Sequence, residues 1–412
     1  ALDAVDVGFR DRALRSAARA MPVEDVPVLI VEIDDRSVQQ LGRFPWSRGR
    51  FAELTRVLHA GGASAIAVDV LFVEPADSSG DAAFVRAVAD AGMVVLASAQ
   101  AAGTGTARFL EPPPALAAAA GGVGHITVRE DPDGTLRRYP FLLPVDGGVY
   151  PSLAYALLEV AGAERVDVPL AGDGTLAVNY ASMSPSSLER HSFVDALAWT
   201  PRDAAAAVRG RAVIVATNFT GGVDVGPTPL GPRTPSSYVH AYALQTVLSG
   251  RVLRDAPAWL PLFLAAALLA LLHHPLILGT PVRTALGVVT AAALVTAGCW
   301  ALLRWGGYVL PPAYPAAAAL LFGATHGLAE WRSSLEGRRR AESFLRRFVG
   351  TKMDRRITRG AGAELHSQRA EVTVMFCDLC DFTAFANRAE ADQVVDVLRT
   401  FGQDTLDTIS TH

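Results

Sequence analysis

"VLIVEID", Val28 to Asp34, is the first of four short apolar, β-rich runs in the leading 255 residues. The others are "AIAVDVLF" (Ala65 to Phe72), "MVVLASA" (Met93 to Ala99) and "AVIVATN" (Ala212 to Asn218). Helix-like segments, Arg48 to Ala60 and Asp81 to Ala91, separate the first three. Strands that are apolar along their whole length are buried on both faces, as in parallel sheets covered by helices. The expectation for residues 1–255 is therefore an α/β layered domain with a mainly parallel sheet. "DPDG", Asp131 to Gly134, lies between "GHITV" and "RRYPFLL" and predicts the turn of an antiparallel hairpin.

In such sheets ligands sit beyond the carboxyl ends of the strands. Those ends carry Asp34, Asp35, Asp69, Glu74 and Asn218, which could hold a polar or cationic ligand. The plainer alternative has Asp34 and Asp35 capping the turn or pairing with Arg36 or Arg43. "DPDG" lacks the further oxygen ligands of a calcium loop, and no serine, histidine and acid set emerges from spacing.

A chain of 412 residues is long for one domain, so two or three units are expected. Hydrophobic residues make up 50% and the mean hydropathy is +0.27, which points to a part in lipid. A net charge of -4 argues against nucleic acid as the partner. Three cysteines (Cys299, Cys377 and Cys380) cannot make a disulfide framework. The leading "ALDAVDVGFRDRALRSAARA" has neither a starting methionine nor the apolar core of a signal peptide, so the N-terminus reads as clipped.

Three charge-free stretches follow: residues 256–272, 284–303 and 308–328. The first two approach the roughly 20 residues that span a hydrocarbon core, and the third is interrupted by prolines. Three crossings are expected, over a buried helical hairpin of a soluble core. Beyond them lies a basic cluster from Arg332 to Arg359, which marks the cytoplasmic side. Residues 1–255 then lie outside, together with Arg304, in the inner (plasma) membrane of a multi-pass protein. An outside domain also needs an export signal, which fits a missing anchor helix.

"LAEWRSSLEGRRRAESFLRRFVG" places Leu328, Trp331, Leu335, Leu345 and Val349 at three- and four-residue steps, broken by Arg338 and Glu342. Two readings of this connector, residues 330–370, stand side by side. One is a short parallel helical pair, the other a basic helix lying on anionic membrane lipid. The last part, residues 371–412, reads strand, tight loop, helix. In "VTVMFCDLCDFT", Val372 to Thr383, an apolar run ends on Asp378, and Val394, Leu398, Phe401 and Ile409 share a helical face further on. A carboxylate at a strand end, followed by backbone amides and a helix start, suits a Mg²⁺ ion and the phosphates it bridges. A strand-end capping aspartate is the plain alternative. Cys377 and Cys380 form a C-x-x-C without a second ligand pair, so Cys377 is read as a small core residue rather than a zinc ligand.

Two resemblances bear on function. "DRSVQQLGRFPWSRGRFAELTRVLHAGGASAIAVDVLFVEP", "GHITVREDPDGTLRRYPFLLPVDGGVYPSLAYALL" and "VIVATNFTGGVDVGPTPLGPRTPSSYVHAYALQTVLSGR" resemble the type-two CHASE domain, an extracellular sensory module. That resemblance implies one anchor helix before the domain and three after it, and an extracytoplasmic ligand of unknown identity. "RTPSSYVHA" lacks the usual glycine before the histidine, so no role is carried over to His240. "VTVMFCDLCDFT", with "FLRRFV", "RAEVTV" and "VVDVLRTFGQDTLDTISTH", resembles the opening of class III adenylate/guanylate cyclase domains.

The second resemblance implies an α+β (ferredoxin-like) domain that acts as a homodimer and converts ATP to cyclic AMP and pyrophosphate. GTP is the other possible substrate. It makes Asp378 the first metal carboxylate and the Leu379 carbonyl a second ligand, for two Mg²⁺ or Mn²⁺ ions. The backbone of Cys380, Asp381, Phe382 and Thr383 becomes the triphosphate cradle. Two departures are plain. Asp381 stands where the family has glycine, and the remaining catalytic residues would lie beyond His412, so the chain as given is expected to be inactive. The alternative is a non-enzymatic sensor with a degenerate output module. A histidine kinase is disfavoured, because His366 lacks phosphoacceptor surroundings.

Overall fold

The computed structural model describes residues 2–75, 77–101, 109–145, 148–163, 168–222, 225–257, 259–273, 281–348 and 376–411. They form two compact units, Ala1–Leu335 and Glu336–His412.

In the first unit the apolar runs become strands of one sheet. The sheet strands are β1 (Val28–Ile33), β2 (Ala65–Asp69), β3 (Val94–Gln100), β4 (Phe109–Leu110) and β5 (Gly122–His125), with β10 (Glu189–Ser192) and β11 (Ala212–Thr217) further on. Between them lie β6 (Arg138–Pro140), β7 (Leu142–Val145), β8 (Gly148–Pro151) and β9 (Thr175–Ala177). The seven sheet strands run in the order β10-β1-β11-β2-β3, with β4 and β5 both on β3, and all pairs are parallel except β3 with β4. The mainly parallel α/β domain expected from the sequence is what forms.

Side chains alternate between two cores. Val28 and Ile30 of β1, with Ala212, Ile214 and Ala216 of β11, face one layer, where α6 (Leu153–Val160) and α9 (Ser236–Leu248) pack. Leu29, Val31 and Ile33, with Val213 and Val215, face the other. That second layer holds α3 (Arg48–Ala60), α4 (Ser78–Ala91), α7 (Phe193–Leu197) and α8 (Pro201–Val208). Cover on both faces is why the strands read as continuous apolar runs.

The "DPDG" turn forms, with Gly134 at φ 78° and its amide on the Asp131 carbonyl at 2.8 Å. The hairpin expected around it does not. Its arms meet only at the single bridge Arg129 to Arg138, because β6 pairs antiparallel with β9 and β5 joins the main sheet. Two more antiparallel pairs join β7 to β8 and β12 (Val225–Thr228) to β13 (Gly231–Pro235).

The chain leaves the domain through β14 (Arg254–Asp255), which pairs in parallel with β15 (Tyr308–Val309). Between them run α10 (Trp259–Leu272), α11 (Pro281–Ala301) and a π-helical turn, Leu302–Gly306. The β14–β15 pair fixes the start of α10 and the end of α11 at one end, so the two helices run in opposite directions. Next, α12 (Ala313–Phe348) starts from that same end. Leu268 and Leu272 of α10, Val288 and Ala291 of α11 and Ala319 of α12 form one small cluster. Among the described residues one helix, Val282–Gly306, is long and apolar enough to cross a membrane, and Trp259–Leu272 is apolar but shorter.

At the N-terminus α1 (Leu2–Arg19) buries Ala13 and Leu14 against Leu253 and Leu303. In the second unit α13 (Phe382–Ala386) and α14 (Ala391–Thr411) follow a turn. Residues 371–375 of the strand expected there, and residues 349–370 of the connector, lie outside the described residues. Phe376–Leu379 carry no strand.

Gly124 sits where β5 passes under the start of α6. A methyl group there would lie 2.6 Å from the Ser152 carbonyl oxygen and from Leu153 Cα, both backbone atoms that cannot swing aside. Gly124→Ala is expected to destabilise the domain by roughly 2 kcal/mol through overpacking, seen as a lower denaturant midpoint.

Candidate functional site

Asp34 and Asp35, at the sheet's carboxyl edge, are consumed locally. Asp34 caps α2 (Asp35–Leu41), accepting from Ser37 N (2.8 Å), Ser37 Oγ (2.6 Å) and Ser192 Oγ (2.8 Å). These donors hold its carboxyl below the usual carboxylate range, against the opposing pull of burial. Asp35 accepts from Thr220 N (2.8 Å) and Thr220 Oγ1 (2.9 Å), and Arg36 pairs with Asp195 instead (2.7 Å). Asn218 donates to Glu32 (2.9 Å), which also accepts from Tyr238 Oη (2.6 Å). The Glu74 carbonyl accepts from Arg48. The capping alternative therefore describes Asp34, and Asp34, Asp35, Asp69, Glu74 and Asn218 do not converge on one ligand.

Two polar clusters escaped the sequence reading. The first lies in the core between the sheet and α9. His240, 1% exposed, binds the Tyr139 hydroxyl through Nδ1 at 2.7 Å, and its Nε2 lies 3.8 Å from Asp69 Oδ2. His125, fully buried at the end of β5, has no hydrogen-bond partner on either ring nitrogen. Burial holds the His125 imidazole down at about 4. Burial, and then the neighbouring His125, holds His240 at about 3. Both are neutral at pH 7. A neutral His240 that accepts from Tyr139 at Nδ1 carries its proton on Nε2, the nitrogen nearer Asp69.

The second cluster is built on Arg137, whose side chain is 4% exposed. It makes a bidentate pair with Asp11 of α1 (2.8 and 2.7 Å). It also holds Asp131 (3.0 Å) and Asp133 (2.8 and 2.7 Å) of the "DPDG" turn. The Arg137 guanidinium keeps the Asp133 carboxyl well below the usual range. The "DPDGTLRR" block thus serves as a strut between α1 and the domain. In the same way "LGRFPWSR" supplies Arg48, 6% exposed, which pairs with Asp81 at 3.0 Å and joins α3 to α4.

In the second unit Asp378 is exposed and accepts from Leu379 N at 2.9 Å. The Leu379 carbonyl accepts from Phe382 N at 3.3 Å. Asp381 adopts φ 58°, in the left-handed region, at the head of α13, and Thr383 lies in its first turn. Cys377 is exposed, not in a core as expected, and Cys380 is exposed and free like it. The run from Asp378 to Thr383 therefore gathers hard oxygen donors and backbone amides on one short turn. A carboxylate and a carbonyl oxygen fit the preferences of Mg²⁺ or Mn²⁺ and make a partial ligand set. Among the described residues no group of three or more His, Cys, Asp or Glu side chains could hold a metal.

A family model for the CHASE2 domain matches residues 1–275. No curated protein and no solved structure matches the chain.

Two predictions follow from the clusters. Below pH 6.5 the unfolded chain protonates its histidines while buried His125 and His240 stay neutral, so stability falls as the pH drops towards 4. The loss is roughly 3 kcal/mol per imidazole by pH 4. His125→Leu is expected to raise the melting temperature relative to wild type more at pH 5 than at pH 8. Arg137→Met leaves three carboxylates without their counter-charge. It is expected to cost roughly 3–5 kcal/mol in a chemical unfolding titration, with trypsin cutting α1 at Arg12 and Arg15 first.

Proposed function

The chain belongs to the CHASE2 domain family, whose members are extracytoplasmic sensory domains, and from that premise we propose a transmembrane receptor with a cyclase output. The sensory part occupies residues 1–255. Three crossings follow, about 256–272, 284–303 and 308–328, then a cytoplasmic connector and the opening of a class III nucleotide cyclase domain. Support for three crossings is the alternating run of α10, α11 and α12 and the apolar side chains they leave exposed. These include Leu262 (64%) and Phe263 on α10, Leu286 and Leu294 (68%) on α11, and Leu320 and Leu321 (66%) on α12. Large apolar side chains on every helix of a bundle suit lipid contact.

The single observation that carries the output reading is the turn at Asp378 to Thr383. Asp378 and the Leu379 carbonyl would hold Mg²⁺ or Mn²⁺, and the backbone from Cys380 to Thr383 would take the triphosphate of ATP. The ions, when bound, would supply activation of the ribose 3′-hydroxyl and neutralisation of the leaving pyrophosphate. Dimerisation through the connector is part of the same reading. Trp331, where α12 enters the connector, is exposed at 60%, as a side chain awaiting a second copy would be.

A second reading, a non-enzymatic sensor, is favoured by the Asp381 carboxylate, which stands where a triphosphate would approach. The deciding assay is cyclic AMP formation from ATP by the full-length protein with Mg²⁺ or Mn²⁺. Asp378→Ala is expected to lower the rate at least 100-fold, in line with loss of a metal ligand. Equal rates for wild type and variant would sink the cyclase reading, and ATP binding without turnover by the wild type would establish the sensor.

A further inference from the structure

Where α11 ends, its last turns, α1 and the domain enclose a cavity of about 300 Å³. Ala13, Leu14 and Ala17 of α1 make one wall. Trp300, Arg304 and Trp305 make the second, and the segment Gly250–Val252 belongs to the third. Two guanidinium groups face each other across Met21. Arg251 Nη1 lies 3.5 Å from its sulfur and 3.4 Å from the Ser182 carbonyl, and Arg304 Nη2 lies 3.8 Å from the same sulfur.

No carboxylate lines this cavity among the described residues, and neither arginine has an ion-pair partner there. Two like charges gathered on one thioether repel each other, and an anion between them reverses the sign of that interaction. The neighbouring cavity, of about 270 Å³, differs in this respect, because it sets Arg10 beside Asp6 and Asp255 and so carries its own counter-charges.

The position adds a second argument. The cavity opens at the end of the membrane-length helix Val282–Gly306, and Trp300 and Trp305 stand there edge to face, with centroids 5.8 Å apart. Tryptophans take that level at the boundary between hydrocarbon and headgroups. An arginine at the outer end of a crossing is also against the usual charge bias, and an anionic ligand accounts for it.

We propose that this cavity binds a phosphate group, presented by an anionic phospholipid of the outer-facing leaflet. Arg251 and Arg304 donate to its oxygens, and the acyl chains leave along the exposed face of α11. The occupant would touch the sensory domain, α1 and α11 together, and so would tie the domain's exit to the membrane. This rests on the reading of α11 as a crossing.

The test uses the full-length protein in a neutral detergent, titrated with dihexanoyl phosphatidylglycerol, with inorganic phosphate and with uncharged dihexanoylglycerol, and read by native mass spectrometry. Saturable binding of one phosphatidylglycerol is expected, with none for dihexanoylglycerol. Arg251→Gln and Arg304→Gln should each weaken it at least tenfold. Arg304→Lys should stay within a few-fold of wild type, and Arg50→Gln, far from the cavity, should change nothing. Inorganic phosphate binding as tightly as the lipid would uphold the phosphate site and overturn the lipid as its source. Absence of saturable binding, or variants that bind like wild type while melting like it, would overturn the proposal. Resistance of the protein to carbonate extraction from membranes reports the crossing separately, so a failure of this inference is distinguishable from a failure of that reading.

Discussion

Arg137 is a cation taken out of water and held by three carboxylates, and the placement of α1 depends on it. Removing such a charge from solvent costs several kcal/mol, which good geometry must return in full. Asp131 and Asp133 sit four to six residues away in the preceding turn, so their approach is local. Asp11 lies 126 residues away, and its bidentate pair forms only when α1 is docked. The strut is therefore complete in one arrangement of α1 and incomplete in any other. Around it the backbone is fixed as well: the Arg137 carbonyl accepts from Val178 N (3.0 Å), and the Leu136 carbonyl accepts from Tyr180 Oη (2.7 Å).

The other end of α1 reaches the helices. Asp6 accepts from Ala313 N at 2.7 Å, and Asp3 accepts from the Tyr314 hydroxyl at 3.1 Å, both at the head of α12. A carboxylate there meets unsatisfied amides and the positive end of the helix dipole. One helix thus bonds to the sensory domain through Asp11 and to α12 through Asp3 and Asp6. The "DPDG" turn, through Arg137, and the head of α12 are bonded to one helix of 18 residues.

The sheet was legible because burial on both faces leaves continuous apolar runs, and all four became strands. The strands β5 and β10 were not, since "GVGH" and "ERHS" carry glycine or polar residues at positions where pairing, not hydrophobicity, decides. The hairpin expectation failed because a turn signal fixes the turn but not which strand its arms join. Of the candidate residues, Asp34 read correctly as a cap. His125 and His240 were invisible as a pair, because β5 and α9 bring together residues 115 positions apart by tertiary packing alone. Arg137 and Arg48 belong to the two blocks that carried the CHASE resemblance, and their meaning is mechanical: each block carries a buried guanidinium that joins elements.

Asp381 shows how far a local departure from a pattern can be understood. At φ 58° a side chain costs roughly 1 kcal/mol relative to glycine, and aspartate is among the residues that tolerate the region best. The turn forms with aspartate there, since the Asp381 carbonyl accepts from Phe385 N at 3.0 Å and starts α13. What changes is charge. On the proposed cyclase reading, a second carboxylate three residues after Asp378 would attract a divalent cation and repel a triphosphate. On that same reading, ions held by Asp378 and Leu379 would offset the added charge, whereas a nucleotide approaching without them would meet two carboxylates on one turn.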